Sequence, residues 1–126
     1  MVILMAYKVL YRKYRPDSFE NLYGQEAIKK LLSESIVLNK VSHAYLFHGP
    51  RGTGKTSTAK IFAKAINCEN NMDGNPCNKC NSCINFSESP DIIEIDAASN
   101  NGVDEIRNLR DSAKILPTFS KYKIYI

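Results

Sequence analysis

One eight-residue stretch constrains the fold of this chain more than any other feature of its sequence. It matches the pattern G-x-x-x-x-G-K-[ST], in which glycines let the backbone wrap closely around phosphate groups and successive N–H groups point inward. An apolar run precedes it at 44–48, and a segment with helical spacing of apolar residues follows it at 55–67. This context predicts a nucleoside triphosphate site, expected to take Mg-ATP, between a buried strand and a helix. The residues of this phosphate loop are Gly49, Pro50, Arg51, Gly52, Thr53, Gly54, Lys55 and Thr56.

Two side chains of the phosphate loop have specific expected roles. Lys55 is expected to bridge the β- and γ-phosphates, and the Thr56 hydroxyl is expected to ligate Mg²⁺. The helix that opens at Lys55 adds the positive end of its dipole to the same site. The alternative, a chance glycine-rich turn, does not account for the apolar strand before the motif or the amphipathic helix after it.

Apolar spacing along the rest of the chain predicts an α/β fold. Strands that alternate with helices in this way are typical of a parallel sheet flanked by helices. Three strands make an incomplete sheet, because sheets average about five or six strands. We therefore expect residues 1–126 to be the N-terminal part of a longer P-loop NTPase domain. The predicted helices are 26–39, 55–67 and 102–114, and the predicted strands are 44–48, 91–96 and 121–126.

The helix predicted over 102–114 carries clear local signals. Asn101 is expected to cap it, and two acids lie in its first turn, where the helix dipole favours them. Pro117 is expected to end it. Its apolar residues recur at helical spacing, which predicts that they form a buried stripe. The acids are Asp104 and Glu105, and the stripe consists of Val103, Ile106, Leu109 and Ala113.

Composition sets wider bounds on function. The chain has 126 residues, of which 44% are hydrophobic and 24% charged, as expected for a single globular domain. Its net charge of +4 permits a nucleic-acid partner without arguing for one. The apolar run near the start, Met1 to Ala6, is too short for a signal peptide or a membrane span. These features predict a cytoplasmic protein with no membrane partner.

Four cysteines form the second motif of the chain, Cys68-x8-Cys77-x2-Cys80-x2-Cys83. In an ATP-containing compartment thiols stay reduced, so a metal explains this spacing better than two disulfides. Four thiolates make a closed tetrahedral Zn²⁺ site, which is structural rather than catalytic. The alternatives are an iron–sulfur cluster and free buried cysteines. We expect residues 68–83 to be a small zinc-binding insert, because the surrounding segment 68–89 is too polar to hold a core by itself.

Together, these motifs resemble one family. The chain is similar to the gamma/tau subunits of bacterial DNA polymerase III clamp loaders, which are AAA+ ATPases. The resemblance runs over nearly the whole chain from Met5, and the cysteine insert after the phosphate-loop helix is its most specific part. The matching segments outside the two motifs are Tyr11 to Pro16, Phe19 to Leu22, Gly24 to Glu26, His43 to Phe47 and Ile93 to Ser99.

The resemblance implies further site residues in the basic, aromatic leader of the chain. Its members would line the adenine and ribose side of the pocket, since aromatic rings stack on bases and arginine reaches phosphate. Taken alone, the leader could equally be a solvated basic segment or a nucleic-acid arm. The helix after Ser99 resembles a DNA-facing helix, but its loop, Asn100 to Gly102, has no basic residue and is better explained as an ordinary helix cap. The implied nucleotide-binding residues are Tyr11, Arg12, Tyr14, Arg15, Pro16, Tyr23, Gly24 and Gln25.

The resemblance also implies a role for the complete protein. ATP would drive loading of the sliding clamp onto primed DNA, with the delta and delta-prime subunits and the polymerase core as further partners. The acidic pair that would support hydrolysis is expected just beyond Ile126, so this chain by itself is predicted not to turn over ATP. Two other classes stay open: a small-molecule kinase or phosphotransferase, and a zinc-dependent nucleic-acid binding module.

Overall fold

The structure, a computed structural model, describes residues 15–96 and 102–126. Within these ranges the chain forms helices and a parallel sheet, which confirms the predicted α/β class. Helix α2 has the predicted bounds, whereas α1 and α4 are slightly shorter than predicted. The elements are α1 (Glu26–Val37), α2 (Lys55–Asn67), α3 (Asn81–Ile84), a 3₁₀ turn (Phe86–Glu88), β1 (Ile92–Ile93), α4 (Val103–Ala113) and β2 (Ile124–Tyr125).

The hydrophobic core lies where α1, α2 and the segment before α1 meet. Tyr45 packs edge-on against Phe62 at its border, with ring centroids 4.8 Å apart. Ile61 and Phe62 of α2 supply the centre, because helical spacing turns them toward α1. The buried members of this core are Phe19, Leu22, Leu32, Ile61, Phe62 and Ala65.

Helix α1 ends two residues earlier than its apolar pattern predicts. Asn39 takes a left-handed conformation with φ of +53°, which the helix cannot continue. The Asn39 N–H donates to the Ile36 carbonyl, and the Lys40 N–H donates to the Ser35 carbonyl. This pair of bonds is a Schellman motif, so local backbone chemistry rather than loss of periodicity sets the end of α1.

The sheet consists of β1 and β2 in parallel, with Ile92 opposite Ile124 and Ile93 opposite Tyr125. The Ile95 N–H also donates to the Ile126 carbonyl at 2.7 Å, which extends the pairing beyond the two strands. Parallel pairing of the predicted strands 91–96 and 121–126 is therefore confirmed, although the strands themselves are shorter.

The predicted strand at 44–48 does not form among the described residues. This segment has no strand partner, and Leu46 is largely exposed. A groove of about 980 Å³ runs along it, and this groove is lined by residues from both 41–47 and β2. A strand needs a hydrogen-bonding neighbour about 4.8 Å away, and no described strand occupies that position.

The predicted buried stripe of α4 is also wrong for the described residues. Val103 and Ile106 are well exposed, and α4 has no buried residue. The helix stands off from the sheet across a cavity of about 290 Å³ that Ile106 and Leu109 line. Polar contacts anchor it instead, including the Ser112 and Tyr125 hydroxyls 2.7 Å apart. The predicted cap Asn101 lies outside the described residues, and Gly102 holds the N-cap position.

Candidate nucleotide site and metal centre

The phosphate loop is shaped by two glycines in left-handed conformations. Gly52 has φ of +84° and Gly54 has φ of +78°, a region that residues with a Cβ rarely adopt. Gly54 is the N-cap of α2, and its carbonyl accepts the first helical bond from the Thr58 N–H at 2.8 Å. The free N–H groups of the first turn of α2 therefore lie at the end of the loop, where anions are stabilised.

Lys55 closes the phosphate loop on itself. Its Nζ donates to the carbonyls of Gly49 and Pro50, both at 2.7 Å. The Thr53 hydroxyl donates to the same Pro50 carbonyl at 2.9 Å. The lysine charge is thus held inside the loop by neutral acceptors, which phosphate oxygens can replace with stronger, charge-assisted bonds.

Lys55 and Thr56 line one end of the groove described above. Thr56 is exposed, so its hydroxyl is accessible to a bound ion. Ile124 and Tyr125 of β2, with the following Ile126, also line this groove. A ligand on the phosphate loop would therefore contact both the start of α2 and the end of a parallel strand, the edge where ligands of α/β sheets bind.

The segment before α1 reaches the phosphate loop through Leu22. This side chain is buried, and its Cδ1 lies 3.7 Å from the position that a Cβ on Gly54 would take. Gly24 and Gln25 follow in consecutive left-handed conformations, and Tyr23 is fully exposed. Arg15 and Pro16 begin the described segment, whereas the predicted residues Tyr11, Arg12 and Tyr14 lie outside it.

The four cysteines come together in space. Their sulfur atoms all lie within 4.8 Å of one another, with 4.0 Å between Cys77 and Cys83 and 3.9 Å between Cys68 and Cys80. Four sulfurs about 2.3 Å from one tetrahedral ion would be about 3.8 Å apart, so the cluster fits a single metal ion. Cys68 is the C-cap of α2, Cys77 lies in the loop that follows the 72–75 hairpin, Cys80 is the N-cap of α3, and Cys83 lies on α3.

Backbone donors make the thiols of this cluster unequal. The N–H groups of Lys79 and Cys80 donate to the Cys77 sulfur and lower the pKa of this thiol to about 6. Burial raises the pKa of Cys68 and of Cys83. Cys77 is therefore a thiolate at neutral pH, whereas a metal ion would have to displace protons from the two buried thiols.

Sequence reasoning missed several polar residues that organise the surroundings of the site. Both amide atoms of Asn67 pair with the backbone of Tyr122, at 2.9 and 2.8 Å. The buried Asp91 carboxylate accepts three consecutive backbone N–H groups, which outweigh its burial and lower its pKa. An Asn at a helix end and an Asp opening an apolar strand are the signals available in sequence. The three donors to Asp91 are the N–H groups of Thr118, Phe119 and Ser120, at 2.6 to 2.7 Å.

Residues 24–126 match the protein family described as DNA polymerase III, delta subunit. The chain belongs to this family. The tau subunit of DNA polymerase III from Bacillus subtilis (strain 168) is 57% identical over 124 residues, which are 97% of this chain and 22% of that protein. The gamma/tau subunit from Mycobacterium bovis (strain ATCC BAA-935 / AF2122/97) is 47% identical over 93% of this chain and 21% of that protein.

A third relative of this DNA polymerase III family member is the tau subunit of Escherichia coli (strain K12), 41% identical over 97% of the chain and 19% of that protein. The resemblance to gamma/tau subunits is thereby confirmed. The chain spans about a fifth of the length of these relatives. No helix within the described ranges has both the length and the apolar content needed to span a bilayer.

Proposed function

We propose that this chain is the ATP-binding part of a clamp-loader motor subunit of the DNA polymerase III gamma/tau type. The observation that carries the proposal is the phosphate loop at the start of α2, with Lys55 held inside it, in a chain that belongs to the DNA polymerase III family. The open groove beside the loop offers room for a nucleotide.

The triphosphate would be held mainly by the loop backbone and by Lys55. The Lys55 ammonium leaves the Gly49 and Pro50 carbonyls and binds β- and γ-phosphate oxygens. The Thr56 hydroxyl, which is exposed at the groove, ligates Mg²⁺. The proposed phosphate contacts come from Gly49, Pro50, Arg51, Gly52, Thr53, Gly54, Lys55 and Thr56.

The base would lie toward the segment before α1. Leu22 of this segment lies beside Gly54 of the phosphate loop, and the exposed Tyr23 ring is free to stack on adenine. Gly24 and Gln25 follow in left-handed conformations, and their backbone is proposed to lie beside the base. The leader residues Tyr11, Arg12, Tyr14, Arg15 and Pro16 would complete the base and ribose contacts.

The cysteine cluster is proposed to hold one structural Zn²⁺. Cys68, Cys77, Cys80 and Cys83 supply four sulfurs at the separations that a tetrahedral ion requires. With four protein ligands the ion has no open coordination position, so it would order the insert and take no part in hydrolysis.

In the complete protein we propose the function of the gamma/tau class: ATP binding and hydrolysis that load the sliding clamp onto primed DNA in the cytoplasm. The proposed partners are the delta and delta-prime subunits, the clamp, primed DNA and the polymerase core.

The test compares two lysines on α2 in the natural, full-length protein. Lys55→Ala removes a charged contact to phosphate, and we expect at least a tenfold loss of affinity for a fluorescent ATP analogue with Mg²⁺. Lys64→Ala, in the last turn of the same helix, is the matched control and should change the affinity less than twofold. Equal affinity of the Lys55→Ala variant and the unmodified protein would overturn the proposed nucleotide site.

A further inference from the structure

We infer that the cysteine insert positions the turn Phe19 to Leu22 against the phosphate loop, so that metal binding and nucleotide binding are energetically coupled. This inference rests on the proposed function for its nucleotide. Its structural basis is a continuous set of contacts from the insert, through the segment before α1, to Gly54.

The first contacts join the insert to the segment before α1. The Asn75 side-chain oxygen accepts the Phe19 N–H at 2.9 Å, across 56 residues of sequence. The Asn78 side-chain amide donates to the Asp17 carbonyl at 3.3 Å. Phe19 is almost fully buried, so its N–H would lack a partner without Asn75, and such a loss is costly.

A tight hairpin holds Asn75 in place. Met72 and Asn75 exchange two backbone hydrogen bonds of 2.9 Å around a turn in which Asp73 and Gly74 have positive φ. Gly74 packs directly on the backbone of Ser33 in α1, where a Cβ would overlap the Ser33 carbonyl. The hairpin thus packs on α1, and Asn75 ends it two residues before Cys77, so the position of Asn75 depends on both α1 and the cysteine cluster.

The contact between Asn78 and Asp17 lies within the cysteine cluster. Asn78 lies between Cys77 and Cys80, so the residue that bonds to the Asp17 carbonyl is flanked by two of the four cysteines. Its side-chain oxygen is buried without a hydrogen-bond partner, an unfavourable position that needs strong support from its surroundings. Four sulfurs bound to one ion would supply that support, because a structural metal orders segments that lack their own core.

The last contacts lead to the phosphate loop. The Leu22 N–H donates to the Phe19 carbonyl at 3.3 Å, which closes a short turn. Leu22 is the side chain nearest to the Cβ position of Gly54, the N-cap of α2. Loss of the hydrogen bond from Phe19 to Asn75 would loosen this turn. The segment before α1, where the base is proposed to bind, would then be held less firmly against the phosphate loop.

Coupling of this kind must be reciprocal. If the metal-bound insert favours the turn that binds nucleotide, then nucleotide must raise the affinity for the metal by the same factor. Coupling between sites typically amounts to about 5- to 150-fold in affinity. We expect about tenfold here, because two hydrogen bonds and one packed turn transmit the effect.

The experiment uses the natural, full-length protein loaded with Zn²⁺ or stripped by a chelator, and it measures affinity for a fluorescent ATP analogue. Stripping should weaken binding about tenfold. The zinc-loaded Asn75→Ala variant should bind the analogue as weakly as the stripped, unmodified protein does. Stripping this variant should not lower its affinity further. Asn75→Asp keeps an acceptor for the Phe19 N–H, so it should retain both the affinity and its dependence on metal.

A second measurement needs no nucleotide. Exchange of the Phe19 amide hydrogen should become at least tenfold faster after stripping or in Asn75→Ala, while amides of Ile61 and Phe62 in α2 keep their protection. If zinc-loaded protein binds nucleotide in a Lys55-dependent way but stripping changes nothing, the coupling is wrong and the nucleotide site stands. If no nucleotide binds, the proposed nucleotide site is wrong, and exchange of the Phe19 amide still tests whether the metal orders the turn. Unchanged Phe19 exchange, or equal affinity of Asn75→Ala and Asn75→Asp, overturns the inference.

Discussion

The packed region (residues 15–88) and the sheet region (residues 91–96 and 102–126) are held together by different interactions. In the packed region α2 has six buried residues, and three of them, Ile61, Phe62 and Ala65, pack in the core with residues of α1 and the segment before it. In the sheet region α4 buries none and stands off from the sheet. Both helices have amphipathic sequences, so periodicity tells which face is apolar but not whether that face has a partner.

In the sheet region, where apolar contacts are few, hydrogen bonds hold the elements together. Asp91 gathers the N–H groups of Thr118, Phe119 and Ser120, and the Lys123 ammonium donates to the Ser112 carbonyl at 2.8 Å. Asn67 then joins the two regions through both of its bonds to Tyr122. We therefore expect the largest effects from apolar and cysteine substitutions in the packed region, whereas in the sheet region polar substitutions should cost more than apolar ones.

The largest expected effect follows from loss of a cysteine. Cys83→Ser should lower the free energy of unfolding of the packed region by about 2.5–4 kcal/mol, a quarter of the about 10–16 kcal/mol that structural zinc sites supply. Denaturant unfolding and zinc analysis of the purified protein measure this. Ser82→Ala, the preceding position on α3, is the control and should retain zinc. Full stability and no bound zinc in the unmodified, reduced protein would contradict the structural metal.

The next effect compares two isoleucines on two helices. Ile61→Ala in α2 creates a cavity in the core and should cost about 3 kcal/mol, whereas Ile106→Ala in α4 should cost less than about 1 kcal/mol. Both substitutions remove the same atoms, so the difference reports burial alone. Equal losses of unfolding free energy for the two variants of this chain would contradict the difference in packing between α2 and α4. A large cost of Ile106→Ala only in the natural, full-length protein would show that residues outside the described ranges cover α4.

The sequence predicted those parts of the structure that depend on local signals. The start of α2 follows from a glycine loop before an amphipathic segment, and the parallel pairing of β1 with β2 follows from the α/β order. The proximity of the cysteines follows from their close spacing. Each of these depends on residues near one another in sequence or on a topological rule.

The failures depend on partners far away in sequence. The strand expected at 44–48 needs a neighbour, and the stripe of α4 needs a closely packed surface; neither requirement is visible in the segment itself. Contacts such as that of Asn75 with Phe19 cross 56 residues and have no periodic signature. The nucleotide and metal roles of the site residues stay predictions, which the experiments above test.

The smallest of these effects concerns the carboxylate at the start of β1. Asp91→Asn replaces one acceptor oxygen with a donor that faces backbone N–H groups, and it should cost about 2 kcal/mol at pH 7. The pKa of Asp91 is lowered in the folded state, so its contribution is complete above the unfolded pKa of about 3.9 and is lost as pH falls through the folded value.

Denaturant unfolding at pH 7 and at stepwise lower pH checks this sign, because the gap between the unmodified protein and Asp91→Asn should narrow only below about pH 4. Asp111→Asn is the matched control, since Asp111 is exposed and its surface ion pairs are worth under about 1 kcal/mol. A gap that widens on acidification would contradict the assigned charge. Amide hydrogen exchange of Asp91→Asn gives a sharper result. If the amides of Thr118 to Ser120 exchange faster while that of Ile61 stays protected, the two regions unfold separately. If the amides of both regions lose protection, Asn67 couples the regions into one cooperative unit.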